Sequence, residues 1–399
     1  MTPTLLAITV LLGHLSAWTW IYNRLHASGL PSRFVRQLEK WVILACLATG
    51  CSVFAWLVLR GPAGAVTSPH WPDRIMLAWQ LICWMMLTYV LAGWLVRRVA
   101  QRGPGPLVAN DTQCLDVARI LGHRPIGRRL TRMWGAIPGN QILHVQAHHK
   151  IVRMPNLPPA LAGLRIAQVT DLHMTGQMTR EFFDVALAHL QTWQPDLIAI
   201  TGDLVDEPAC FAWIPATLGQ LACPFGVYAV LGNHDQRLAD VARLRQTLTD
   251  SGIEDLGGRC VLRTIRDVPV RLAGNEQPWF PAPQFPAPQF PAPQPGALDP
   301  TTPHPFSILL SHSPDQLPWA RRHGFHLMLA GHTHGGQIRL PGIGPIICPS
   351  RYGVWYASGL FDRPPTLLHV SRGLSGVHPL RFNCRSEEHT SELQSRFGI

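Results

Sequence analysis

The chain has 399 residues, 47% of them hydrophobic, and a formal net charge of +10. That length admits two or three domains. Its nine cysteines show no CxxC pair and no regular spacing, which excludes a disulfide framework and a thiolate zinc site and suits a reducing compartment.

Three long uncharged runs occupy the first hundred residues, at 3–23, 41–59 and 75–96. Each reaches the roughly 20 residues that a helix needs to cross a bilayer core. Trp18, Trp20, Trp41 and Trp94 sit near run ends, as an interfacial belt would place them. Residues 1–98 are therefore expected to form a transmembrane region of three α-helices. The first run lacks a basic leader and is followed by further spans, which favours an uncleaved helix over a signal peptide. Arg24, Arg33, Arg36 and Lys40 fill the first loop, and eight arginines from Arg97 to Arg132 follow the third run, against Arg60 and Arg74 in the second loop. The positive-inside rule then gives a multi-pass protein of the inner (cytoplasmic) membrane, with everything after the third run in the cytoplasm.

Residues 99–160 are mixed and basic, broken by GPGP and NLPPAL. They read as a juxtamembrane linker with one short amphipathic helix, 115–134, on the membrane surface. Next to a membrane helix, such a basic stretch favours anionic lipid over nucleic acid as partner. His148 and His149 read as solvated linker residues. From Leu164 the texture changes. LRIAQV, DLIAIT, GVYAVL, FSILLS and FHLMLA read as strands, and REFFDVALAHLQTW and ADVARLRQTLTDSG as helices. This alternation implies an α/β layered domain over 161–384. Within it, the repeat FPAPQFPAPQFPAPQPG at 280–296 reads as a solvent-exposed loop. The stretch RSEEHTSELQS resembles the in-frame translation of a sequencing-library adapter, so 385–399 is expected to be an artefactual tail without function.

Each strand-like run ends in metal-type side chains. They are Asp171 and His173; Asp203 and Asp206; Asn233, His234 and Asp235; His312; and finally His332 and His334. Ligands of open α/β sheets gather at the carboxyl ends of strands. Oxygen and imidazole donors without sulfur suit Mn, Fe, Zn or Mg. The set holds enough ligands for two divalent ions, which together clamp a phosphate and activate a water.

The ordered set DLH, GDLVD, GNHD, a lone His and GHTH resembles the calcineurin-like metallophosphoesterase superfamily, over Leu164 to Asn383. GHTHGGQ followed by VSRGL resembles its membrane-associated branch, some of whose members hydrolyse UDP-2,3-diacylglucosamine. The resemblance implies a layered β-sandwich flanked by helices, preceded by the α-helical transmembrane region. It implies that Asp171, His173 and His334 bind one metal, that Asn233, His312 and His332 bind a second, and that Asp203 bridges them. His234 would act as general acid, oriented and kept protonated by Asp206; Asp235 either buttresses its loop or is solvated. The implied reaction is hydrolysis of a phosphodiester or pyrophosphate by a metal-activated hydroxide, on a phosphoester substrate that is lipid-linked. The alternatives are a membrane-anchored phosphodiesterase for soluble nucleotides or nucleic acid, and a non-catalytic phosphoester sensor. His323 and His326 read as surface or packing residues, Gln337 as a candidate substrate contact, and Arg372 as either a phosphate contact or a structural ion pair. The chain departs from the family pattern in its proline repeat and at its end. There the adapter-like tail stands where a further apolar strand belongs, so an edge strand is expected to be missing.

Overall fold

The computed structural model describes residues 3–60, 70–100, 105–283 and 305–395. The chain divides into two units, Met1–Gly103 and Pro104–Ile399.

The first unit consists of α1 (Pro3–His26), α2 (Ser32–Arg60) and α3 (Trp71–Ala100). All three are long and apolar enough to cross a membrane. The second starts earlier than its apolar run. Arg33, Arg36 and Lys40, expected in a loop, occupy its first turns, because nothing between Ser32 and Trp41 breaks a helix and Pro31 precedes it. Small and polar residues bring the helices together. Gly13 lies so close to the Cys83 backbone that a Cβ would overlap it. Trp79 Nε1 donates to His14 Nδ1 at 3.2 Å, and Trp56 Nε1 to Asp73 Oδ1 at 3.0 Å.

The second unit begins with β1 (Leu107–Asp116), α4 (Val117–Leu121), α5 (Arg129–Gly135) and β2 (His144–Arg153). Then follow β3 (Leu164–Val169), α6 (Arg180–Thr192), β4 (Leu197–Thr201), α7 (Trp213–Ala216), β5 (Val227–Val230), α8 (Val241–Asp250) and β6 (Ile253–Asp255). The later part carries β7 (Cys260–Ile265), β8 (Val268–Asn275), β9 (Phe306–Ser311), α9 (Leu317–Arg322) and β10 (Leu327–Ala330). A small hairpin of β11 (Arg339–Leu340) and β12 (Gly344–Pro345) precedes β13 (Gly359–Arg363), β14 (Thr366–Val370) and β15 (Ser386–Gln394). One sheet has the order β1-β2-β15-β3-β4-β5-β6, and a second β13-β14-β10-β9-β8-β7.

The two sheets face each other across a shared core. Ile166 and Leu197 from the first meet Leu272, Ile308 and Leu329 from the second. The outer face of the first sheet is covered by α6 and α8, whose apolar residues repeat at helical spacing: Phe183, Leu187 and Leu190, then Leu244 and Leu248. The outer face of the second sheet packs on Leu317 and Ala320 of α9. This is the expected layered sandwich. Its central strands are buried on both sides and read as continuous apolar runs.

Two expectations are corrected. The stretch 99–160 is more than a linker, since β1 and β2 pair antiparallel and extend the first sheet. β1 is an exposed, polar edge strand, which blunts edge pairing and leaves no apolar period to read. Nor is an edge strand missing at the end. The adapter-like tail forms β15 in the sheet interior, parallel to β2 and antiparallel to β3. Backbone hydrogen bonds of a ladder are indifferent to side-chain identity, so an extended polar segment can complete the pairing.

The side chains bear the cost. Ser386, His389, Thr390 and Ser391 are buried, and their polar side-chain atoms have no hydrogen-bond partner among the described residues. A buried hydroxyl without a partner costs about 1–3 kcal/mol. Thr390→Val together with Ser391→Val should therefore stabilise this unit, raising its melting temperature in detergent by about 2–4 °C per kcal/mol recovered. An unchanged or lower melting temperature would contradict this account of the strand.

The proline repeat lies outside the described residues from 284 onward.

Candidate metal centre

Five loops carry the predicted site residues together. Those after β3, β4 and β5 come from one sheet, and those after β9 and β10 from the other. The site thus sits where the carboxyl ends of two facing sheets meet, rather than along one sheet edge.

These loops turn tightly. Ten non-glycine residues among those described have positive φ, and five of them are Asp171, His173, Asp203, His332 and His334. Left-handed backbone is sparsely populated for such residues and costs of order 1–3 kcal/mol each, a cost that clusters at functional sites. The preceding glycines permit the approach: a Cβ on Gly202 would meet the His312 ring and the Gly232 nitrogen.

The donors form two groups. Ligand atoms of Asp171, His173 and His334 lie within 4.8 Å of one another, and so do those of Asp203, His312 and His332. Asp203 joins them, with Oδ2 3.5 Å from His173 Nε2 and 3.2 Å from His312 Nε2. Asn233 Oδ1 is 3.2 Å from His312 Nε2. Surrounding groups fix the rings. His173 Nδ1 donates to Asp206 Oδ2 at 2.8 Å, and His312 Nδ1 to the Thr201 carbonyl at 2.7 Å. Both contacts turn Nε2 toward the centre, as outer partners of metal-ligating histidines do.

The donor set fits divalent cations. Asp171 Oδ1 and His332 Nε2 are buried without a hydrogen-bond partner among the described residues. His173 Nε2 and His334 Nε2 lie 3.3 Å apart, close enough for one cation to take both nitrogens in place of the proton between them. Burial works against charge on His173, yet the carboxylates of Asp206, Asp203 and Asp171 lift it to about 9. His312 is likewise lifted to about 9 by Asp203 against its burial. Asp203, despite complete burial, is held well below the carboxylate range by His312 and His234. The centre thus favours positive charge, and a metal entering it must displace protons.

His234 and Asp206 stand beside the first group. His234 Nδ1 donates to Asp206 Oδ1 in a short contact, and the His234 backbone N–H donates to Asp203 Oδ1 at 2.8 Å. Burial pushes the His234 imidazole below its usual value, and Asp203 and Asp206 oppose this without reversing it. Asp206 does more than the sequence suggests, because its two oxygens hold His173 and His234 at once. Asp235 is a buttress. Its carboxylate accepts the backbone N–H groups of Asp203, Leu204, Val205 and Gly232 at 2.8–3.2 Å.

The remaining candidates separate clearly. His148 is buried in β2 and contacts an Arg372 nitrogen at 2.8 Å; His149 stacks on Trp193. Neither is a solvated linker residue. Arg372 forms the structural ion pair, with Nε 3.0 Å from Glu387 Oε2. Gln337 Nε2 donates to the His378 carbonyl at 3.3 Å. His323 packs on Trp319 and His326 on Phe306. Two contributors carried no sequence signal. Trp279 lies against His312 and His332, with its centroid 5.5 and 4.9 Å from theirs. Gln168 Nε2 reaches Thr201 Oγ1 and the Ala330 carbonyl, tying the two sheets together beneath the site.

The chain is similar to known proteins over this region. The family profile described as calcineurin-like phosphoesterase matches residues 164–336. The uncharacterised metallophosphoesterase YkuE of Bacillus subtilis is 31% identical over 257 residues, covering 63% of this chain and 86% of that protein. A transmembrane protein with metallophosphoesterase domain from Danio rerio is 29% identical over 390 residues, covering 95% of this chain and 85% of that one. The UDP-2,3-diacylglucosamine pyrophosphatase LpxG of Chlamydia trachomatis is 28% identical over 279 residues, covering 57% and 83%.

Proposed function

The chain belongs to the calcineurin-like metallophosphoesterases, and on that premise we propose that it is a two-metal hydrolase of a phosphodiester or pyrophosphate bond, with a lipid-linked nucleotide sugar of the UDP-diacylglucosamine type as substrate. The observation that carries the reading is the single Asp203 oxygen standing between two imidazoles, each in its own cluster of donors. Asp171, His173 and His334 would hold one ion, Asn233, His312 and His332 the other, with Asp203 shared. When bound, such ions polarise a phosphoryl oxygen and lower the pKa of a water.

The chain's own residues do the rest. Asp206 fixes His173 as a ligand and His234 as a proton donor in one stroke. With Nδ1–H held by Asp206, His234 has Nε2 left over and would protonate the leaving oxygen from its doubly protonated form. Asp235 holds the Asp203 and Gly232 backbones in register. Trp279 covers the His312 and His332 side of the centre. The catalytic domain would comprise 161–384 enlarged by β1, β2 and β15. The three apolar helices and the arginine distribution support a multi-pass inner-membrane protein with a cytoplasmic catalytic unit.

The similarity to LpxG and the apolar helices favour the lipid-linked substrate. A panel tests it, with the full chain in detergent offered UDP-diacylglucosamine, bis-p-nitrophenyl phosphate and cyclic nucleotides. Preferred turnover of the lipid-linked compound is expected. Turnover confined to soluble nucleotides would overturn the substrate class and leave the reaction class standing.

A further inference from the structure

The second unit exposes two apolar surfaces that its fold does not use. On α5 and the turn after it, Leu130 is 64% and Met133 65% exposed, and Trp134 and Ile137 are exposed beside them. On the β11–β12 hairpin and its flanks, Ile343 is 54% and Ile347 51% exposed, with Ile338, Leu340 and Ile346 also exposed. Single exposed apolar residues are ordinary, but clusters of this kind mark an interaction surface.

The two clusters flank one segment. Arg339 N donates to the Phe382 carbonyl at 2.9 Å, and Ile338 pairs with Phe382 as an isolated bridge. On the other side, Asn140 Nδ2 donates to both the Trp134 and Pro379 carbonyls at 2.9 Å. The same segment begins against the metal centre, where Ser375 N donates to the Asp171 carbonyl at 2.9 Å. The hairpin itself folds over Gly336 of the GHTHGG loop, whose absent Cβ leaves room for Pro345. The apolar surface is thus continuous with the rim of the first metal group.

Charge identifies what the surface meets. Residues 117–143 hold five arginines and residues 335–361 two, and neither stretch contains an aspartate or glutamate. Arg129 and Arg132 are exposed on α5 among its apolar side chains. Arg128 pairs with Glu207 at 3.4 Å, but Arg129 and Arg132 have no acidic partner among the described residues, and apolar residues beside such exposed arginines suit the headgroup region of an anionic bilayer. We propose that α5 and the β11–β12 hairpin form a docking face for an anionic lipid surface, which brings the metal centre to phosphoesters carried in the bilayer. This deepens the hydrolase reading above by naming where its substrate enters, but its test does not depend on turnover.

The test is hydrogen exchange on the full chain in nanodiscs of phosphatidylcholine alone, in nanodiscs containing phosphatidylglycerol, and in detergent. Amides of 129–137 and 338–347 should exchange about tenfold more slowly in the anionic nanodiscs. Met133→Glu with Ile343→Glu, and separately Arg129→Gln with Arg132→Gln, should each remove that protection while leaving bis-p-nitrophenyl phosphate turnover unchanged. The arginine pair is exposed, so its variant keeps the test valid if the glutamates disturb folding. Equal exchange in all three environments would overturn the proposal. Protection that persists in detergent, in a chain that runs as a dimer, would also overturn it and assign the face to a second copy. Protection without turnover of any lipid-borne substrate would uphold the docking face and count against the hydrolase reading alone.

Discussion

Asp203→Ala should lower phosphoester hydrolysis at least about a thousandfold. One carboxylate serves both clusters, with Oδ2 within 3.5 Å of ring nitrogens from each, while Oδ1 accepts the His234 backbone N–H. Removing it leaves His173 and His312 without their common negative partner and frees the loop that carries His234. Metal affinity should fall together with turnover. Asp203→Asn should behave nearly as badly, because the amide keeps the shape without the charge. The check is metal content and rate measured on the same preparation. An Asp203→Ala protein that kept two ions and wild-type turnover would remove the bridging role.

His234→Asn should cost about a hundred- to ten-thousandfold in kcat, the usual range for a positioned proton donor, while both metal ions stay bound. The separation from Asp203→Ala is the informative part. His234 lies outside the two ligand clusters joined by Asp203, and its Nδ1 is committed to Asp206. The loss should shrink for substrates with an acidic leaving group, such as p-nitrophenol, which need no proton. Asp206→Asn should combine the two phenotypes, because its second oxygen holds His173. Equal loss for good and poor leaving groups would show that His234 acts in something other than proton donation.

Much of this centre is legible in the sequence because its donors sit in short motifs at strand ends, and a strand buried on both faces announces itself as an apolar run. The helices α6 and α8 are legible for the same reason, through their apolar spacing. What lies between motifs is harder to read. Gln168 looks like a polar interruption in LRIAQV, and only the facing sheet shows it bonded to Thr201 and Ala330. Trp279 precedes the proline repeat with no motif around it, and its place beside His312 and His332 depends on the packing of two sheets. The second bond of Asp206 needs His173, 33 residues away, to be folded beside it. β1 escapes notice because a solvent-facing edge strand has no apolar period, β2 because its buried positions include His148 and Lys150, and β15 because SEEHTSELQ is polar on both faces. Partners such as Arg372 and Lys150 for Glu387 exist only once the sheet has folded.

The central claim is that two divalent ions share this site and are needed for hydrolysis. It is tested most directly by stripping the full chain with a chelator and titrating Mn, Fe, Zn or Mg back. Bound metal and bis-p-nitrophenyl phosphate turnover would be followed together. The account predicts no turnover in the stripped protein, and full turnover as binding approaches two ions per chain. Turnover that survives chelation, or that saturates at a single ion, would contradict it.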